Sequence, residues 1–200
     1  ALDVPTAQFW NGIGIPVYEG YGLTECGPVL TANPPEKEKI GSVGVPLRGV
    51  ILRFNGKEII AKGNNIFPGY WNNEKATREA FTHDGWYKTG DLGEFDSDGY
   101  LYIKGRKKEM IVTGAGVNVY PSDIEDVLNT LPGVKESCVI GKETSAGEEV
   151  HAVLIPDGSR DPKDIISEAN ARLDTSQHIT GFSLWPDAEF PKTTTLKIQK

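Results

Sequence analysis

Glycine and proline recur so often in the first half of this chain that only short apolar runs fit between them; the 200 residues hold 23 glycines and 13 prolines. A chain punctuated in this way forms short strands and turns. Ile13-Gly14-Ile15-Pro16-Val17-Tyr18 reads as a buried strand feeding a loop. Asn33-Pro34-Pro35 and the charged run to Lys39 read as a surface loop. Residues 42–45, 50–54 and 58–62 are predicted strands, with Asn55-Gly56 as the turn between the last two. Residues 73–81 form a predicted short helix with Ala76, Ala80 and Phe81 on one face. Asp84-Gly85 and Asp98-Gly99 mark turns, the second joining residues 92–95 to 100–103 in a hairpin. The pattern describes a small twisted β-barrel or sandwich.

The second half is written differently. Ser122 and Glu125 have the spacing of a capping box. Ile124, Val127, Leu128 and Leu131 then make one apolar stripe. Residues 134–140 and 149–155 are predicted strands. Asp161-Pro162 starts a helix carrying Ile165, Ile166, Ala169 and Leu173, and residues 183–185 form a last short strand. The expected fold class is α+β: a twisted β-barrel subdomain over residues 1–106, then a small α+β domain over residues 107–200. The change of style falls near residues 105–109, at the basic run Arg106-Lys107-Lys108.

Composition narrows the function. A formal charge of −7 argues against a nucleic-acid binder. No apolar run approaches the length of a transmembrane segment, which leaves peripheral contact as the mode of membrane association open to the chain. Cys26 and Cys138 fit no metal spacing and read as reduced, buried thiols of a cytoplasmic protein, and His83, His151 and His178 are scattered.

The chemistry-bearing residues gather in two segments. The first is Tyr18-Glu19-Gly20-Tyr21-Gly22-Leu23-Thr24-Glu25. The second runs Tyr87-Lys88-Thr89-Gly90-Asp91 and on to Gly99-Tyr100-Leu101-Tyr102-Ile103-Lys104-Gly105-Arg106. They place a carboxylate and a hydroxyl on a glycine-rich loop, then a second carboxylate, then an arginine. The set suits a nucleotide, with metal and phosphates at one end and ribose hydroxyls at the other. Taken singly, Glu25 is a solvated carboxylate on a turn and Asp91 an aspartate in a glycine turn.

In order and spacing these segments resemble the AMP-forming acyl-CoA synthetases of the adenylate-forming superfamily. Six blocks are similar, ending with Phe190-Pro191-Lys192-Thr193-Thr194-Thr195-Leu196-Lys197-Ile198. The resemblance implies that a carboxylate attacks the α-phosphate of ATP, giving an acyl-adenylate and pyrophosphate, and that coenzyme A then displaces AMP. It implies Glu25 as the Mg2+ ligand, Thr24 as a phosphate donor, Gly20 and Gly22 as points of close approach, and Tyr21 as a flat face for adenine. Asp91 would accept from the ribose hydroxyls, Arg106 would hold the ribose or phosphate region, and Ile103 would pack on adenine. Lys108 matches the hinge of the small domain, and Gly116, Pro121 and Glu125 match recurring positions of the loop that faces the site in thioester formation. Lys197 matches the lysine that bridges carboxylate and α-phosphate. Gly63 and Pro68-Gly69-Tyr70-Trp71 match a block expected to be a structural turn with packed aromatics.

The sequence departs from most relatives at Val112, Ala115 and Leu196. Thr113, taken with the stretch ending Leu196-Lys197, looks most like bacterial long-chain fatty acyl-CoA synthetases. The family's upstream phosphate loop ending in Pro-Lys-Gly has no counterpart here, so the resemblance implies the C-terminal portion of a longer, cytoplasmic enzyme acting on a small-molecule carboxylate, a fatty acid. Two other readings stay open: an adenylation module loading a carrier-protein thiol, and a non-catalytic nucleotide- or coenzyme A-binding module.

Overall fold

The computed structural model describes residues 2, 4–145, 147–192 and 198. The chain separates into two compact units, Ala1–Lys107 and Lys108–Lys200.

The first unit begins with helix α1 (Val4–Gly12) and continues through β1 (Gly20–Tyr21), β2 (Thr31–Ala32), β3 (Val45–Pro46), β4 (Val50–Asn55), β5 (Glu58–Gly63), helix α2 (Glu74–Ala80), β6 (Tyr87–Phe95) and β7 (Leu101–Arg106). Strands β1 to β3 form one antiparallel sheet in sequence order, and β4 to β7 form another. Asn55 and Glu58 are register partners, so the chain reverses through Gly56-Lys57, with Gly56 in the left-handed region that an Asn-Gly turn requires. Asn73 caps α2, its Oδ1 accepting from Ala76 N at 3.0 Å. Leu30, Leu52, Ile59, Ala61, Tyr87 and Leu101 form the core.

The α+β class is as expected, but the barrel of the first unit is an open pair of sheets. The two sheets are stitched by Val43 N to Leu101 O and Leu101 N to Gly44 O, both 2.8 Å. Those bonds engage a single residue of β7, too little to close a ring. Residues 13–18 are not a buried strand. Ile13 N and Ile15 N bond back to Phe9 O and Trp10 O, prolonging the end of α1, and Ile13 and Ile15 are exposed. Residues 33–39 are a tethered loop wrapped around buried Asn33, whose side chain donates to Ser42 O and accepts from Lys39 N. Of the strand expected at 42–45, only Val45 lies in β3.

The second unit holds β8 (Ile111–Val112), β9 (Asn118–Val119), helix α3 (Pro121–Asn129), β10 (Val134–Thr144), β11 (Gly147–Pro156), helix α4 (Pro162–Arg172) and β12 (Gly181–Leu184). β10 and β11 form a long antiparallel hairpin, and β12 adds parallel to β11. Ile124, Leu128, Val139, Ala152, Leu154 and Ile165 unite both helices with this sheet in one core. Asp161 caps α4, accepting from Lys163 N at 2.8 Å, with Pro162 at the first helical position.

The capping box at Ser122 does not form. Pro121 starts α3, so Ser122 already lies inside the helix and Tyr120 is the N-terminal boundary residue. Proline's fixed φ is preorganised for the first turn, which moves the start ahead of the serine. Glu125 is thereby released to reach β10, where its Oε1 accepts from Val139 N at 2.6 Å. Cys26 and Cys138 are buried free thiols. Among the described residues no helix is long and apolar enough to cross a membrane.

Candidate functional site

Three elements of the first unit converge on Asp91. β6 carries Asp91 and β7 carries Arg106, and antiparallel pairing makes them direct register partners. Arg106 Nη1 lies 3.1 Å from Asp91 Oδ1 and also donates to Thr89 O at 3.3 Å. From the other sheet, Tyr21 Oη donates to Asp91 Oδ2 at 2.6 Å. Asp91 is only 7% exposed, and burying a carboxylate to that degree requires such partners. Thr89 fixes the backbone there, its Oγ1 donating to Ile59 O at 2.7 Å and accepting from Asp91 N at 3.1 Å. Burial, and secondarily the Asp91 carboxylate, push the Tyr21 phenol above its usual range, so it stays a donor. The sequence suggested an adenine face at Tyr21 and gave no sign of this contact. Ile103 packs, half-buried, against the core beneath.

Thr24 and Glu25 sit on a single 3-10 turn, Thr24–Cys26. Residues 65–70 support it. Phe67 N donates to Glu25 O at 2.8 Å, and Asn65 Nδ2 donates to Cys26 O at 2.7 Å and Val29 O at 3.0 Å. Tyr70 Oη donates to Glu25 Oε1 at 2.9 Å. Gly22 is obligatory on packing grounds: a Cβ there would lie 1.8 Å from Pro28 O. Burial pushes the Cys26 thiol up to about 12, and the Glu25 and Asp91 carboxylates both add to the effect. The block expected to be a structural turn therefore supplies a contact to Glu25 through Tyr70. Phe67 and Tyr70 do pack edge to face at 4.8 Å, whereas Trp71 is 91% exposed.

Glu58 is the other residue that the sequence did not flag. It opens β5 ahead of an apolar run and is buried, with Oε2 on Lys107 Nζ at 2.8 Å and Oε1 accepting from Gly90 N at 3.3 Å. Arg106 and Lys107 in the basic run are thus each paired with an acid, while Lys108 is exposed. Period-two alternation cannot say whether a charge at a strand's first position turns inward.

The remaining candidates belong to the second unit. Lys108 is its first residue. Gly116 takes φ +75 in the turn between β8 and β9 and donates to Thr113 O at 2.7 Å. Lys197 lies outside the described residues.

The donor chemistry at Glu25 fits a hard cation shared with phosphates. Tyr70 occupies Oε1, and among the described residues Oε2 has no partner. No group of three or more His, Cys, Asp or Glu is arranged to hold a metal by itself among the described residues. One carboxylate oxygen on the turn that also carries Thr24 suits Mg2+, which takes few protein ligands when phosphates and waters supply the rest.

A family model described as "AMP-binding enzyme" matches residues 1–71, and one described as "AMP-binding enzyme C-terminal domain" matches residues 123–197. The long-chain-fatty-acid–CoA ligase FadD15 of Mycobacterium tuberculosis is 48% identical over 141 residues, covering 70% of this chain and 23% of that protein. The sulfoacetate–CoA ligase of Cupriavidus necator is 36% identical over 200 residues, covering 94% of this chain and 39% of that protein. Among solved structures, the O-succinylbenzoate coenzyme A synthetase MenE from Bacillus subtilis, in complex with ATP and magnesium ion, matches with a TM-score of 0.86 at 31% identity. That match covers 98% of this chain and 43% of the other. The chain therefore spans less than half the length of each of these relatives.

Proposed function

Because this chain belongs to the AMP-binding enzyme family, we propose that it forms the C-terminal part of an ATP-dependent, AMP-forming acid–thiol ligase that converts a fatty acid to its acyl-adenylate and passes the acyl group to coenzyme A. The observation carrying this reading is the convergence of Tyr21 and Arg106, from separate strands, on the nearly buried carboxylate of Asp91.

Attack of one anion on another needs cations and oriented donors, and each candidate has a place in that task. Asp91 accepts from the ribose hydroxyls, with Tyr21 and Arg106 fixing the direction of its oxygens. Arg106 presents the rest of its fork to the ribose or phosphate region. Ile103 offers an apolar surface to adenine. Gly20 and Gly22, expected as points of close approach to the nucleotide, instead let their backbone pack against residues 28–32, and Thr24 donates to a phosphate oxygen. Glu25 holds Mg2+, which when bound offsets phosphate charge. Lys197 brings its ammonium to the α-phosphate during adenylation. The first unit, which runs one residue past the expected boundary to Lys107, closes the large domain, and the second forms a mobile small domain pivoting at Lys108, with the Gly116 loop serving thioester formation.

The reported relatives are named as coenzyme A ligases, which favours coenzyme A over a carrier-protein thiol and over a non-catalytic nucleotide module. The identity to a long-chain-fatty-acid–CoA ligase favours a fatty acid. A cytoplasmic reaction is in keeping with ATP and coenzyme A as co-substrates, with peripheral membrane contact as the route for a long-chain acid.

The test is a carboxylate screen with the ligase containing this segment, following pyrophosphate release. Fatty acids should give ATP-dependent release, and Asp91→Ala should raise KM for ATP at least tenfold. Release with only small polar acids would move the substrate class, and no release with any acid would end the ligase reading. Lys197→Ala should abolish release yet still convert supplied acyl-adenylate to acyl-coenzyme A; equal loss in both half-reactions would remove Lys197 from its role.

A further inference from the structure

We propose that Glu58 is a positioning residue that pins Lys107 to the first unit and so sets where backbone freedom begins, a role that rests on reading Lys108 as the pivot. Glu58 is 4% exposed at the head of β5, and Ile59 and Ala61 after it are buried in the core. A carboxylate in that position is costly unless both oxygens are met. Oε2 meets Lys107 Nζ at 2.8 Å, and Oε1 accepts from Gly90 N at 3.3 Å. Gly90 precedes Asp91, and Lys107 follows Arg106. Asp91 and Arg106 are themselves paired across β6 and β7.

One buried side chain therefore holds the peptide entering Asp91 and the residue leaving Arg106. The nucleotide pair lies between two tethers that end on the same carboxylate. Arg106 and Lys107 are each tied by an ion pair to the first unit, and Lys108, next in the same 3-10 turn (Lys107–Glu109), begins the second. A pivot turns about a defined residue only if its predecessor is held. Without the Glu58 charge, Lys107 is released, freedom spreads back towards Arg106, and the ribose pair loosens.

The experiment measures backbone 15N order parameters on this chain as wild type, Glu58→Gln, Lys107→Met and the double variant. Glutamine keeps an acceptor for Gly90 N and leaves no buried charge unpaired, so Glu58→Gln and the double variant preserve the fold even where Lys107→Met, which strands the Glu58 carboxylate, destabilises it. In the wild type, Lys107 should be as rigid as β7, about 0.85, with the fall starting at Lys108. Each single variant should bring Lys107 below about 0.6, and the double variant should go no further, because both remove the same tether. A fall at Lys108 that both single variants leave in place would overturn the role of Glu58 alone. Effects that add in the double variant would also overturn it, since Glu58 and Lys107 would then act separately. Uniform rigidity through residue 110 in the wild type would instead overturn the pivot, and this role with it.

Discussion

Tyr21 and Asp91, seventy positions apart, are joined by a hydrogen bond of 2.6 Å from phenol to carboxylate. It links β1 in one sheet to β6 in the other, at the point where the ribose is proposed to bind. The same bond helps to hold together two sheets that do not close on each other and aims an oxygen of Asp91.

Tyr21→Phe should therefore be both destabilising and functionally costly. The ring still packs, but a nearly buried carboxylate oxygen loses its donor, at a cost of about 1–3 kcal/mol. The urea midpoint should fall without a change in the m-value, and AMP affinity should drop alongside. An unchanged midpoint would mean that the remaining partners of Asp91, Arg106 among them, suffice to satisfy it.

The alkaline limb of stability should depend on Cys26. Its thiol is pushed up from an ordinary value of 9.0 to about 12, chiefly by burial, so the folded form holds its proton where the unfolded chain has lost it. The raised folded value makes the contribution fully present below pH 9 and progressively lost as pH climbs towards 12. The phenols of Tyr21 and Tyr87, raised mainly by burial, act in the same direction above pH 10. Urea midpoints measured from pH 7.5 to 10.5 should decline, and Cys26→Ala should start lower and decline less. At pH 8 a thiol reagent should leave Cys26 unmodified until denaturant is added.

Gly22→Ala should displace the turn that carries Glu25. Its Cβ would fall 1.8 Å from Pro28 O and 2.7 Å from Val29 Cα, backbone atoms that no rotamer change can move. A loss of about 1–3 kcal/mol is expected, the range for overpacking, together with altered hydrogen exchange at Cys26 and Phe67. Gly116→Ala is the contrast: space is open around it, so only its positive φ resists, and the cost should be about 1 kcal/mol.

In the second unit, Glu125→Ala should cost about 1–3 kcal/mol by leaving Val139 N without its acceptor inside the core, whereas Glu125→Gln should be mild. Hydrogen exchange of the Val139 amide reads the difference directly. A Ser122→Ala variant should leave the start of α3 where it is, because Tyr120 and not Ser122 is the N-terminal boundary residue.

Features closed over a few residues were legible from the chain alone. Asn55-Gly56 requires a tight reversal, Asn73 and Asp161 satisfy the first amides of their helices, and the Ile124, Leu128 and Leu131 stripe must face a core. These follow from dihedral preferences and side-chain reach within one turn, so neighbouring residues suffice to specify them. Even there the Ser122 and Glu125 spacing misled, since Pro121 offered a better start one position earlier. The general location of the candidate site was also readable, because its glycines, carboxylates and arginine lie in two short segments.

The contacts that orient those groups were not readable. Tyr21 to Asp91 spans 70 positions, Glu58 to Lys107 spans 49, and Glu25 to Tyr70 spans 45. The first two depend on strand register and on which face of a strand turns inward, so a shift of one residue would separate them, and the third depends on residues 65–70 folding back onto the 3-10 turn. Residues 13–18 show the same limit from the other side: an apolar run promised burial, yet its amides went to the end of α1. The amino-acid pattern thus specified short-range geometry and the inventory of chemical groups. Their pairing arose only when packing set the register of the sheets and buried Asp91 and Glu58, where a carboxylate must find partners or destabilise the fold.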